Sequence, residues 1–196
     1  MGLTDLVPAI YLDRDGVIIE NRATYVQQWS EVAFLPRSLE ALRLAAMIQA
    51  KVVVVTNQSA VGRGIISRQR AEAINRRIVE TIRKAGGRID GLFMCPHAPL
   101  DGCECRKPKP GLIQRAAKQL GIDPKRSILI GDALSDLQAA QAAGIPHSIL
   151  VETGRGRAEA PLALKAGLAR EGTVPGLYEA IELALHLVGE TPGPPG

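Results

Sequence analysis

The 196-residue sequence predicts a doubly wound, parallel α/β domain of Rossmann-like build. Five short apolar runs alternate along the chain with segments of helical periodicity. Those runs are apolar at successive positions, as strands covered on both faces are, instead of alternating between apolar and polar. Several of them end abruptly in acids, amides or hydroxyls, at the sheet edge where doubly wound folds bind ligands.

The first strand is expected over residues 9–12, followed by a helix over 38–50 with Leu39, Leu42 and Ala46 on one face. A second strand, Lys51 to Val55, precedes a long helix from Ser67 to Lys84, whose Ile74, Ile78 and Ile82 recur every fourth residue. Ser67 suits an N-cap and Gly86-Gly87 a stop. The third strand is read at 91–94, then a helix after Pro110 ending near Gly121, and a fourth strand at 127–130. A short helix over 135–143, a fifth strand at 148–151 and a last helix over 175–188 complete the pattern. The stretch 155–171 is rich in Ala and Gly and reads as a loop or weak helix. Residues 1–190 are expected to form a single domain and 191–196 a flexible Pro/Gly tail.

Composition narrows the function classes. With 46% apolar and 22% charged residues the chain is an ordinary globular protein, and no apolar run approaches the roughly 18 residues of a membrane span. Its start lacks a basic segment before a long apolar block, so a cytoplasmic location and no membrane partner are expected. The net charge is +4, but residues 61–90 alone carry +5, leaving −1 for the rest. Aromatics make up only 3%, too few for single-strand stacking platforms, so these arginines read as a solvated helix face and no nucleic-acid partner is expected. A domain this small is expected to work as a monomer.

The chemistry-bearing residues sit at strand ends. Asp13-Arg14-Asp15-Gly16 follows the first strand, Thr56-Asn57-Gln58-Ser59 the second, and Gly131-Asp132, with Asp136 nearby, the fourth. Taken alone, the first run is equally an ordinary turn. Arg106-Lys107-Pro108-Lys109-Pro110 offers cations ahead of a helix N-terminus, a setting that favours anions. The three cysteines are too few and too odd in number for a disulfide framework, and all fall between positions 95 and 105 with His97. Cys95, His97, Cys103 and Cys105 form two pairs, each spaced by one residue. Three thiolates and an imidazole suit a closed tetrahedral Zn²⁺ site, which leaves no open position for catalysis and would fold the loop instead.

In this order the motifs resemble the haloacid dehalogenase superfamily of phosphotransferases, in its capless or small-cap branch, over roughly residues 10–149. The resemblance implies that Asp13 attacks phosphorus to form an aspartyl phosphate, and that Asp15 protonates the leaving oxygen and later activates water. It implies Mg²⁺ held by Asp13, the Asp15 carbonyl and Asp132, with Asp136 behind them. Thr56 and Asn57 would hold the phosphoryl group, and Lys107 would neutralise the carboxylates. The zinc loop directly before Arg-Lys-Pro-x-Pro-Gly, together with Thr-Asn-Gln-Ser, is similar to the heptose bisphosphate phosphatase group. Members of that group remove the 7-phosphate of D-glycero-D-manno-heptose 1,7-bisphosphate, a small phosphorylated sugar. By that likeness Arg14, Asn21, Arg22, Tyr25, Thr56, Asn57, Gln58, Ser59, Arg106 and Lys107 contact substrate. Ala133 stands where many members carry Lys. Histidinol-phosphate phosphatase, with a similar cysteine loop but Asp in place of Ser59, is the nearest alternative. A phospho-accepting receiver and a zinc-stabilised nucleic-acid-binding module are the rivals from other classes. His147, His186 and Trp29 receive no functional role.

Overall fold

The computed structural model describes residues 6–169 and 171–189. A six-stranded, wholly parallel sheet runs in the order β3-β2-β1-β4-β5-β6. Its strands are β1 (Ala9–Leu12), β2 (Lys51–Asn57), β3 (Gly91–Cys95), β4 (Ile128–Gly131), β5 (His147–Val151) and β6 (Thr173–Val174). The chain winds outward from β1 to β3 on one side, then returns and winds outward from β4 to β6 on the other. The point where that direction reverses, between β1 and β4, is where ligands bind in such sheets.

Burial explains the strand composition. Ile10 and Leu12 face one side with Val52, Val54, Ile128 and Ile130, while Ala9 and Tyr11 face the other with Val53, Val55 and Leu129. The first side is covered by α1 (Ser38–Ala45), α3 (Arg68–Lys84) and α7 (Leu177–Gly189). The second is covered by α4 (Gly111–Leu120), α5 (Leu134–Ala142) and α6 (Gly156–Lys165), α5 and α6 closing a small cluster of their own over Leu150. A short α2 (Ser59–Gly62) follows β2 directly. Strands buried on both faces have no solvent side to mark with polar residues.

Several element bounds differ from the sequence reading. The first helix stops at Ala45, not Ala50, because residues 46–50 turn the chain back into β2. The segment left open at 155–171 contains a ten-residue helix with Pro161 inside it, and β6 is an unanticipated two-residue edge. Ser67 does cap α3, its hydroxyl accepting from Arg70 N at 3.1 Å, and Gly86 leaves the helix at φ +85°. The α3 arginines lie outside, Arg68 paired with Glu72 and Arg77 stacked over Trp29, as a solvated face requires. The tail 191–196 lies outside the described residues. Segments 16–37 after β1 and 96–110 after β3 flank the switch point, and among the described residues neither adds a second layered unit, so there is no large cap.

Candidate active site

The ends of β1, β2 and β4 and the loops after β3 and β5 meet at one cavity of about 640 Å³. Asp13 is fixed as β1 ends, its N–H donating to Ile130 O of β4 at 3.0 Å. The chain then turns sharply, with Ile18 and Ile19 N–H both donating to Arg14 O, so Asp13, Arg14 and Asp15 all line the cavity. Gly16 makes the turn at φ +85°, and Gly154 on the β5–α6 loop stands at φ +59° beside it. A Cβ on either would overlap the Asp132 carboxylate, so both positions need glycine twice over, for conformation and for space.

Four carboxylates and one lysine form the centre. Lys107 is buried, its ammonium 2.9 Å from Asp13 Oδ1 and 2.6 Å from Asp136 Oδ1, and it donates to Val55 O at 2.9 Å. Burial pushes Asp13 up to about 7, with Asp136, Asp132 and Asp15 adding to the rise and Lys107 opposing it. Asp132 is likewise raised to about 6, first by burial and then by Asp136, against the Arg155 N–H and guanidinium. Burial pulls Lys107 down, but the Asp13 and Asp136 carboxylates outweigh it and hold the ammonium above its usual value.

Oxygens of Asp13, Asp132 and Asp136 lie within 4.8 Å of one another. Asp132 Oδ1 is buried and has no hydrogen-bond partner, while Oδ2 accepts from Arg155 N at 2.9 Å. A hard dication satisfies such an oxygen, so the donor set fits Mg²⁺. Asp136 is already engaged, Oδ1 by Lys107 and Oδ2 by Ala133 N at 3.1 Å, which leaves it to position Lys107.

The polar residues expected to touch substrate divide into two sets. Arg14 turns inward: Nε and Nη2 fork onto Asp15 at 3.1 and 2.9 Å, Nη1 reaches Asn75 Oδ1 and Nη2 also reaches Gln58 Oε1. Gln58 donates from Nε2 to Asp15 Oδ2 and to Thr56 Oγ1, both at 2.8 Å. Thr56 is fully buried behind Gln58 and does not line the cavity. The Asn57 side chain latches reciprocally to the Lys107 backbone, each bond 3.1 Å. These four residues organise the acids and the lysine loop. Of the four, Arg14, Asn57 and Gln58 also line the cavity, together with Asn21, Arg22, Tyr25, Ser59, Arg106 and Lys109, and with Arg63 and Arg155, which the sequence reading did not single out for the site. A periodicity search passes over Arg155 because its stretch has no strong apolar stripe.

Beside the cavity Cys95, His97, Cys103 and Cys105 converge, with one ligand atom from each within 4.8 Å of the others. Cys105 Sγ is 3.2 Å from Cys95 Sγ, 3.6 Å from Cys103 Sγ and 3.3 Å from His97 Nδ1, and Cys95 Sγ is 3.6 Å from Cys103 Sγ. These separations are close to the edges of a tetrahedron with metal–sulfur bonds of about 2.3 Å. Burial, then the Cys105 sulfur, pushes the Cys95 thiol up to about 12, a cost that a metal removes by taking the thiolate. Arg106 Nη1 reaches His97 O at 3.4 Å, joining this loop to the Arg106-Lys107 segment.

Residues 104–180 match the HAD-hydrolase-like family model. This match and the paired aspartates at the switch point agree with a phosphatase of the haloacid dehalogenase superfamily, and the curated relatives establish that class. The chain is 40% identical over 148 residues to the D-glycero-β-D-manno-heptose-1,7-bisphosphate 7-phosphatase of Bordetella bronchiseptica, covering 76% of this chain and 82% of that protein. To the protein of the same name from Pseudomonas aeruginosa it is 37% identical over 75% and 82%. The chain belongs to this heptose bisphosphate phosphatase family. The solved structure of the D,D-heptose 1,7-bisphosphate phosphatase from B. bronchiseptica, complexed with magnesium and phosphate, superposes with a TM-score of 0.83 at 36% identity, covering 91% of this chain and 98% of that one.

Proposed function

We propose that this chain removes the 7-phosphate of D-glycero-β-D-manno-heptose 1,7-bisphosphate through an aspartyl phosphate on Asp13. The observation that carries the reading is the buried Asp13–Lys107–Asp136 array at the sheet's switch point, lining a cavity that Asp15 also lines. Asp13, the Asp15 carbonyl and Asp132 would hold Mg²⁺, which supplies charge neutralisation at the phosphoryl group. Lys107 keeps Asp13 charged and oriented for attack. Arg14 and Gln58 fix the Asp15 carboxyl for proton transfer to the leaving oxygen and then from water. The second phosphate of the substrate has a place among Arg22, Arg63 and Arg106 along the cavity wall. Cys95, His97, Cys103 and Cys105 would hold Zn²⁺, which would stiffen the loop that carries Arg106 and Lys107.

Among the described residues no helix is long and apolar enough to cross a membrane. We place the enzyme in the cytoplasm as a monomer, without a nucleic-acid partner, with residues 1–190 as its one domain. The deciding experiment measures kcat/KM with Mg²⁺ for both anomers of heptose 1,7-bisphosphate and for histidinol phosphate. The β-anomer should be preferred by at least about tenfold, roughly 1.4 kcal/mol of differential transition-state binding. Preference for histidinol phosphate would overturn the substrate assignment.

A further inference from the structure

The Asp15 carboxyl is aimed by a residue that belongs to none of the strand-end motifs. Both of its oxygens are held: Oδ1 accepts from Arg14 Nη2 at 2.9 Å, and Oδ2 accepts from Arg14 Nε at 3.1 Å and from Gln58 Nε2 at 2.8 Å. Arg14 and Gln58 also bond to each other at 2.9 Å. Two neighbours therefore set the orientation of Asp15, and they can do so only if they are themselves anchored. Gln58 is anchored on the buried Thr56 hydroxyl of β2, to which Nε2 donates at 2.8 Å. Arg14 is anchored on Asn75, whose Oδ1 accepts from Nη1 at 2.6 Å, on the branch of the guanidinium that Asp15 does not use.

Nothing local accounts for Asn75. It lies in the middle of α3, on the buried side with Ala71, Ile78 and Ile82, and is only 4% exposed. Asparagine is a mediocre helix former, and burying its amide is costly unless the amide is bonded. Its Nδ2 meets a weak acceptor, Met94 Sδ at 3.5 Å. The strong bond is the one to Arg14, made between two buried side chains 61 residues apart. A neutral amide oxygen suits that position, because it fixes the guanidinium without competing with Asp15 for its charge.

Resting on the phosphatase reading of the site, we propose that Asn75 is a positioning residue for this reaction, holding Arg14 so that Arg14 aims the Asp15 carboxyl at the leaving oxygen. The test varies the leaving group. In a single turnover with enzyme in excess and Mg²⁺ present, cleavage of the alkyl ester heptose 1,7-bisphosphate needs the acid, whereas release of 4-nitrophenol from its phosphate does not. Asn75→Ala should slow the alkyl step about 10-fold, short of the roughly 100-fold that a 1 Å misplacement costs, with the steady-state KM and the aryl step each within about twofold of wild type. Both substrates are run on one preparation, so any loss of folded enzyme cancels in their ratio. In the Asp15→Asn background, where no acid is left to aim, adding Asn75→Ala should change the alkyl step by less than about twofold. Equal slowing of the two substrates, the mark of a packing role, would overturn the proposal. So would an alkyl step within about twofold of wild type, or a full further 10-fold loss in the Asp15→Asn background. Should histidinol phosphate prove the better substrate, the comparison runs unchanged with that alkyl ester, so the substrate reading can fail while this one stands.

Discussion

Replacing Lys107 by Met keeps its length and apolar stem but removes the charge between two buried carboxylates. At 2.9 and 2.6 Å, with an effective dielectric constant near 20, each attraction is worth about 6 kcal/mol before the cost of desolvating the ions is subtracted. Removing one partner from a buried ionic array costs about 3–5 kcal/mol net, a large part of the roughly 5–15 kcal/mol that holds a domain together. For a chain of this size that lowers Tm by about 6–20 °C. The deficit also depends on pH in a defined sense. Lys107 opposes the rise of the Asp13 pKa, which stands near 7, so without it the folded-state value climbs further above the unfolded one. The folded variant then binds more protons than the unfolded chain over a wider range, and its stability falls as pH rises through that range. The loss should therefore be small near pH 6 and grow towards pH 8.5. Urea unfolding at both pH values, in magnesium-free buffer without a strong chelator, measures it. A loss under about 1 kcal/mol at pH 8.5, or one that shrinks as pH rises, would refute the electrostatic role given to Lys107.

Two further outcomes test the surroundings of the centre. Elemental analysis of the reduced wild type should find roughly one zinc per chain, Cys103→Ser should lose it, and the 96–106 loop of the variant should become protease-sensitive; a wild type without zinc, or a variant with zinc content unchanged from wild type, would refute the ligand assignment. Gly16→Ala should cost about 1–2 kcal/mol from its positive φ alone and should weaken Mg²⁺ binding by displacing Asp132, measurable by calorimetric titration. Unaltered Mg²⁺ affinity would show that the close approach of Gly16 to Asp132 is not what seats that carboxylate.

The sheet and the identity of its centre were legible because both depend on local contrast. An apolar run ending in Asp13 or Asp132 marks a buried strand and its exposed end at once, and a cysteine pair with one intervening residue keeps its meaning whatever surrounds it. What the sequence did not disclose was direction. Arg14 reads as an anion binder beside two acids, yet it turns inward to Asp15, Asn75 and Gln58, a choice set by α3 lying 61 residues further on. The Thr56 hydroxyl accepts from Gln58, and the Asn57 side chain holds the Lys107 backbone across the loop after β3, pairings that the local Thr-Asn-Gln-Ser run does not announce. Arg155 was missed because α6 has a weak apolar face and an internal proline, so nothing periodic drew attention to the residue at its start. The helix over 38–50 was overextended because apolar spacing continues past Ala45, where the tertiary turn into β2 takes over.

The central claim is that phosphate passes through the Asp13 carboxylate. Asp15→Asn removes the acid for a poor leaving group and the base for the second step, and general acid–base catalysis of this kind is worth about 10²–10⁴ in rate. An aryl phosphate needs no such acid, so with it the variant should form the intermediate and fail to clear it. Acid quench within a single turnover, followed by mass spectrometry, should then find a phosphoryl group on the peptide carrying Asp13, and none in Asp13→Asn. Phosphate release continuing in Asp13→Asn, or a phosphoryl group found on any other residue, would contradict the account.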